Sequence, residues 1–175
     1  MDSAYCEYLQ EKKYDDGLSL VKKFPNLIIT RSFSKIYALG GLRIGWGYSS
    51  IQNILKLYQY KKPFNVSRLS CVAATEALKD QRWISRSIKN NQNNKKYTTK
   101  NLNNSLIKTI DTTANFILLE FSHEKIANKF VKFLYTNKIT VRHLASYGLP
   151  KYVRMTIGSL TEMKKTIKIC NRFDV

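Results

Sequence analysis

Between Arg31 and Arg43 the chain reads Arg-Ser-Phe-Ser-Lys-Ile-Tyr-Ala-Leu-Gly-Gly-Leu-Arg. One primary amine, Lys35, stands just after two hydroxyls, Ser32 and Ser34, and eight positions before the guanidinium of Arg43. An amine of this kind can condense with an aldehyde, while hydroxyls and an arginine fork can take up a phosphate through charge-assisted hydrogen bonds. The combination suits a ligand that carries both groups. A plain surface loop would carry the same residue types, so the residues alone leave both readings open.

To present Lys35, a rigid element must end just before it. Asn26 to Thr30, a short β-branched apolar run after Pro25, predicts a strand buried on both faces of a parallel sheet that delivers Arg31 to Lys35 at its C-terminal end. Gly40-Gly41 interrupts the chain and Arg43 to Tyr48 reads as a second strand, which leaves Ser32 to Leu42 as the loop between them. Ile51, Ile54, Leu55 and Leu57/Tyr58 recur at helical spacing, so a helix is expected over 51–61 with Pro63 stopping it. Ser67 caps a second expected helix that turns Leu69, Val72, Ala73, Ala77 and Leu78 toward a core.

Ser85 to Lys108 is rich in Lys and Asn and lacks Pro and Gly, which predicts a long solvated helix linking two halves, 1–90 and 91–175. Beyond it the pattern shortens. Asn115 to Phe121 is an expected strand, Glu124 to Asn137 a helix with Ile126, Phe130 and Phe133/Leu134 on one face, and Ile139 to Leu144 another strand. Tyr152 to Ile157 alternates, which sets Arg154 on the face opposite Val153 and Met155. Ser159 to Glu162 has capping-box spacing and opens a final helix, giving a βαββα layer. An arginine placed like Arg154 serves either an anion site or a surface ion pair.

The 175 residues are 43% hydrophobic, enough for a substantial core. A formal charge of +18, from 30 Lys and Arg against 12 Asp and Glu, raises a nucleic-acid-binding alternative. The lysines are scattered in pairs (Lys12-Lys13, Lys22-Lys23, Lys61-Lys62, Lys95-Lys96, Lys164-Lys165) without an RNA-binding aromatic signature or zinc-finger spacing, so a general Lys/Asn/Ile bias accounts for the charge and no nucleic acid is expected. Cys6, Cys71 and Cys170 form no C-x-x-C pair, and buried free thiols are expected rather than disulfides or zinc ligands. His123 and His143 show no ligand spacing, so no metal is expected. No apolar run reaches the roughly eighteen residues of a membrane span, and the N-terminus lacks a secretory or transit pattern; a cytoplasmic protein without a membrane partner is expected.

The stretch Ser-Phe-Ser-Lys-Ile-Tyr-Ala-Leu-Gly-Gly-Leu-Arg-Ile-Gly over 32–45 resembles the cofactor-lysine motif of fold-type I aminotransferases, and looks like that of the histidinol-phosphate aminotransferases in particular. Further matches follow in that family's order: Asp2-Ser3-Ala4-Tyr5-Cys6-Glu7-Tyr8, Lys62-Pro63-Phe64-Asn65-Val66, Ala114-Asn115-Phe116, and the two-arginine C-terminus that runs from Val141-Arg142 through Tyr147-Gly148 to Val153-Arg154-Met155-Thr156-Ile157-Gly158. The resemblance implies an α/β chain: a partial large domain of the pyridoxal-phosphate-dependent transferase fold, followed by a small α+β C-terminal domain.

It also implies roles. Lys35 would bond the aldehyde of pyridoxal 5'-phosphate and move the substrate proton; Asp2 would face the pyridine nitrogen and Tyr5 the ring 3-hydroxyl. Ser32, Ser34 and Arg43 would anchor the phosphate, and Arg142 and Arg154 the anionic end of the substrates. The reaction implied is amino transfer between histidinol phosphate and 2-oxoglutarate or glutamate, in histidine biosynthesis, by a homodimer when complete. Ser3, in place of the family's acidic residue, and His143, where proline is frequent, depart from the pattern. Tyr147-Gly148-Leu149-Pro150 resembles members broad toward aromatic amino acids, so an aromatic amino-acid transaminase is the alternative. The Asp2 motif stands midway along the family's chains, so about half of such an enzyme is expected to lie before Met1. A chain of this extent is expected to be weakly stable and catalytically poor alone, or a nonfunctional remnant.

Overall fold

The computed structural model describes residues 1–10 and 15–174, so the Lys12-Lys13 pair lies outside the described residues. The chain divides into two compact units, Met1–Ile88 and Lys89–Val175.

In the first unit the run after Pro25 forms β1 (Ile28–Ser32), paired antiparallel with β2 (Gly45–Ser49) from Ile28 opposite Ser49 to Ser32 opposite Gly45. Along the other edge of β1, Asp2 bridges Thr30 in parallel: Ser3 N–H donates to the Thr30 carbonyl at 2.9 Å, and Thr30 N–H to the Met1 carbonyl at 3.0 Å. The expected all-parallel, doubly buried strand is therefore corrected. Pairing is mixed, and Ile29 is buried while Thr30 is exposed, because only one face of this short sheet is covered.

β2 begins at Gly45 rather than Arg43, since Arg43 ends a 3-10 turn, Gly40–Leu42, in left-handed backbone at φ 50°. Only glycine fits at 45, where a Cβ would stand 2.5 Å from the Arg31 carbonyl oxygen. The intervening loop rests on buried Phe33, Ile36 and Ile44.

α1 (Ile51–Tyr60) and α2 (Arg68–Lys79) follow, and the Ser67 hydroxyl caps α2 by accepting from Ser70 N–H at 3.0 Å. The buried face of α2 is not the expected one. Leu69, Val72 and Leu78 are exposed, while Ser70 and Ala74 are buried. The Ser70 hydroxyl donates to the Leu42 carbonyl at 3.1 Å and Ala74 packs with Phe33 and Ile44, so small residues let the helix approach the loop closely.

α3 (Gln81–Asn101) starts earlier and stops earlier than expected. Asp80 caps it by accepting from Trp83 N–H at 2.9 Å. Beyond its end, Asn104 donates to the carbonyls of Cys170 and Phe173 and turns the chain into β3 (Lys108–Ile110), a strand the polar composition concealed. The helix is not simply solvated either: Asn94, Lys95 and Thr98 are buried. Asn94 donates to the Gly158 carbonyl at 2.9 Å, and the Lys95 ammonium donates to the Thr112 carbonyl and pairs with Asp111 at 3.1 Å.

The second unit is an antiparallel sheet ordered β3-β4-β6-β5, with β4 Phe116–Glu120, β5 Arg142–His143 and β6 Tyr152–Thr156. β5 is far shorter than the strand expected over 139–144. Helices α4 (Glu124–Thr136) and α5 (Leu160–Cys170) close one core with the sheet, made of Ile117, Leu119, Phe130, Leu134, Val153 and Met155 among others. Each such side chain contributes about 1.5–3 kcal/mol by leaving water. The α5 capping box forms as the spacing predicts: Ser159 Oγ accepts from Glu162 N–H, and the Glu162 carboxylate accepts from Ser159 N–H at 2.7 Å. Among the described residues no helix is long and apolar enough to cross a membrane.

Candidate active site

In the first unit the loop after β1 presents Lys35 with its ammonium 5.1 Å from the centre of the Tyr5 ring, close enough for a cation to feel the ring's negative face. Tyr5 stands at the start of a 3-10 turn, Cys6–Tyr8, and Arg31 of β1 holds that turn. Its guanidinium pairs with Asp16 at 2.7 Å, reaches Glu7 at 4.0 Å and lies 5.3 Å over the Trp46 ring. Burial, and then the Glu7 carboxylate, push the Cys6 thiol up to about 12 and raise Tyr37, so both stay protonated at neutral pH.

Asp2 lies beside β1 at Thr30, exposed, with its carboxylate accepting from Ala4 N–H at 3.1 Å. Ser32 Oγ accepts from Ser34 N–H at 3.0 Å, which joins the two expected phosphate anchors in one turn. The Arg43 side chain is exposed and donates to the Gly40 carbonyl at 2.6 Å. The structure thus brings Lys35 to Tyr5 and Ser32 to Ser34, sets Asp2 one strand across, and turns Arg43 back on its own 3-10 turn. An amine, two hydroxyls, a carboxylate, a phenol and a guanidinium in one unit form a donor set that fits an aldehyde-bearing pyridine with a phosphate. A groove of about 610 Å³ between β2 and α1, lined by Gly45, Gly47, Ile54, Leu57 and Tyr58 among others, carries none of these side chains.

In the second unit Arg142 of β5 and Arg154 of β6 are direct partners across the sheet and share a face. Like charges placed opposite one another are unfavourable unless an anion lies between them. The Arg154 guanidinium is 5.2 Å over the Phe116 ring, and its Nε is buried with no hydrogen-bond acceptor among the described residues. Arg142 is exposed and lies 5.7 Å over the Tyr147 ring. His143, the departure from the family pattern, shares a 2.7 Å hydrogen bond with the Pro150 carbonyl and so ties the turn between β5 and β6.

Several participants escaped the reading by residue type. Arg31, Glu7 and Asp16 meet across the fold, Phe116 stacks beneath Arg154, and the Trp83 indole N–H donates to the Ile36 carbonyl at 2.7 Å. Glu7 and Phe116 carried a signal in their places within the matched stretches, and Arg31 at the head of the lysine stretch, whereas Asp16 and Trp83 carried none. Of the cysteines, Cys6 and Cys170 are buried as expected, but Cys71 is exposed on the outer face of α2.

Residues 1–172 match the family described as aminotransferase class I and II. The histidinol-phosphate aminotransferase of Granulibacter bethesdensis is 38% identical over 162 residues, which is 93% of this chain and 44% of that protein. That of Paracoccus denitrificans is 34% identical over 173 residues, 99% of this chain and 47% of that one. The chain therefore spans about half the length of the curated relatives it matches. Among solved structures, the histidinol-phosphate aminotransferase of Sinorhizobium meliloti in complex with pyridoxal-5'-phosphate superposes with a TM-score of 0.88 at 24% identity, over 97% of this chain and 47% of that chain. At that identity the likeness speaks to the fold: part of a fold-type I α/β large domain followed by a small α+β domain.

Proposed function

The chain belongs to the class I and II aminotransferase family, and from that premise we propose that it is the lysine-bearing part of a pyridoxal 5'-phosphate-dependent transaminase acting between histidinol phosphate and 2-oxoglutarate or glutamate. The observation that carries the reading is the Lys35 ammonium against the Tyr5 ring, each inside its own motif. When bound, the cofactor supplies an aldehyde for the amine and a ring able to accept electrons.

Lys35 Nζ holds the cofactor and then moves a proton from the substrate carbon that bears nitrogen. The Asp2 carboxylate holds the proton on the pyridine nitrogen, because an adjacent negative charge favours the charged form, and the Tyr5 hydroxyl donates to the ring 3-oxygen. Ser32, Ser34 and Arg43 bind the phosphate once the Arg43 fork exchanges Gly40 for it. Arg142 and Arg154 bind the anionic end of the substrate, and an arginine fork matches carboxylate and phosphate alike. The complete enzyme is read as a cytoplasmic homodimer of histidine biosynthesis.

Tyr147, exposed beside Arg142, supports a second reading, an aromatic amino-acid transaminase. Competition between histidinol phosphate and tyrosine for the amino-donating half-reaction separates the two. The cofactor assignment has a direct test. Mixed with pyridoxal phosphate, the purified chain is expected to show a visible absorbance band that Lys35→Ala abolishes; no band, or one that survives the substitution, overturns the reading.

A further inference from the structure

The loop that carries Lys35 is closed by a turn in which Ala38 N–H donates to the Lys35 carbonyl at 2.9 Å, with Ala38 in left-handed backbone at φ 57°. This bond fixes the two ends of the turn but does not itself set the orientation of the Ile36–Tyr37 peptide. In four-residue turns the central peptide is the group whose orientation distinguishes the common turn types. Here its carbonyl accepts from the Trp83 indole N–H at 2.7 Å, across 47 residues of sequence.

An indole N–H only donates, so the bond has one sense, and Trp83 is itself held. Its backbone N–H is bound by the Asp80 carboxylate at 2.9 Å and the Arg86 guanidinium lies 5.2 Å over its ring. Ile36 is 2% exposed, so the residue after Lys35 is pinned at its side chain by packing and at its carbonyl by Trp83.

We propose that Trp83 is a positioning residue for Lys35, locking the turn that keeps the amine against Tyr5; the proposal rests on Lys35 being the cofactor lysine. Without the indole N–H the central peptide turns over more readily, and the amine spends less time in place. Among the described residues the other hydrogen bonds of the loop, such as Ser34 N–H to Ser32 Oγ, Phe33 N–H to the Ile44 carbonyl, Leu39 N–H to the Phe33 carbonyl and Leu42 N–H to the Leu39 carbonyl, lie outside the central peptide of the turn.

The test uses the purified chain with pyridoxal phosphate and borohydride. A lysine amine condenses with the aldehyde with loss of water, and borohydride delivers a hydride to the resulting carbon–nitrogen double bond, leaving a stable secondary amine that peptide mass mapping assigns to its lysine. The readout is label on Lys35 relative to label on Lys79, an exposed lysine of α2. Trp83→Phe is expected to lower that ratio about fivefold, the factor that corresponds to one neutral hydrogen bond of ~1 kcal/mol. Benzothienylalanine placed at 83 keeps the ring shape and lacks only the N–H; it should lower the ratio equally, and it decides the matter if the phenylalanine variant does not fold. An unchanged ratio in the benzothienylalanine protein overturns the positioning role and leaves the cofactor lysine standing. Absence of preferential Lys35 label in the unsubstituted chain overturns the cofactor reading itself and the inference with it. Label that rises on Lys35 and Lys79 together in the variants signals general loosening and also overturns the proposal.

Discussion

The two units of this chain satisfy their apolar residues in opposite ways. In the second, sheet and helices close one cluster that runs from Leu102 to Phe173 and includes Phe121 and Phe130, whose ring centres are 5.0 Å apart. In the first, among the described residues, the buried cluster around the lysine loop is Phe33, Ile44 and Ala74, with Tyr37 and Leu39 packed against it. Its helices turn Ile51, Leu55, Tyr58, Leu69 and Val72 outward, and Phe64 is 98% exposed. These exposed side chains add nothing to a core within the unit. The proposed cofactor lysine thus sits in the unit with the smaller core of its own, and hydrogen bonds such as those of Trp83, Ser70 and Arg31 supply order that packing supplies in the other.

The strongest challenge to this contrast is a pair of truncations. Phe130→Ala is expected to cost about 3–5 kcal/mol, whereas Leu69→Ala on the outer face of α2 should stay within about 0.5 kcal/mol. Urea unfolding followed by circular dichroism measures both, and equal losses would erase the distinction. Lys95 comes next. Lys95→Met strips the Thr112 carbonyl and Asp111 of their cation and should cost about 1.5–3 kcal/mol, the usual worth of a hydrogen bond to a charged group. Its signature is faster hydrogen exchange across the loop from Asp111 to Asn115.

Thiol labelling sharpens the comparison further. Cys6 and Cys170 are both pushed up to about 12, chiefly by burial, so each reacts only when its surroundings open. In mild urea Cys6 should label about tenfold faster than Cys170, since the less densely packed unit opens more often. Equal rates would mean a single cooperative body. The smallest effect is expected at the α5 cap, where Ser159→Ala should cost about 1 kcal/mol. The Glu162 carboxyl is held below its usual range by the Ser159 hydroxyl and then by the Ser159 backbone N–H. A lowered carboxyl favours the folded state above its unfolded value, about 4.3, and that contribution is lost as pH falls through the lower folded value. Amides in the first turn of α5 should therefore lose protection near pH 3, once their intrinsic exchange rates are divided out, and Ser159→Ala should remove this pH dependence.

What could be read in advance followed local rules. The Ser67 cap and the Ser159 capping box each join residues three apart, and the alternation of Val153, Arg154 and Met155 needs only a period of two. Misreadings arose where a local pattern met a distant partner. Apolar spacing on α2 correctly indicated a helix, yet the inward face was chosen by Ser70 reaching Leu42 and by Ala74 fitting beneath Phe33. Polarity in α3 suggested solvent, but Asn94 and Lys95 are polar because they bind carbonyls of the loops beside them.

By itself the sequence determined which residue types stand where: a lysine between hydroxyls and an arginine, and a pair of arginines toward the C-terminus, arranged in a family's order. The tertiary structure decided which groups meet. Tyr5 lies against Lys35, Arg142 opposes Arg154, and Trp83 reaches Ile36. The physical reason is range. Capping, turn and pleat preferences act over a few neighbouring residues and leave a spacing that can be read, whereas a hydrogen bond across 47 residues depends on where packing brings two segments and leaves no spacing at all.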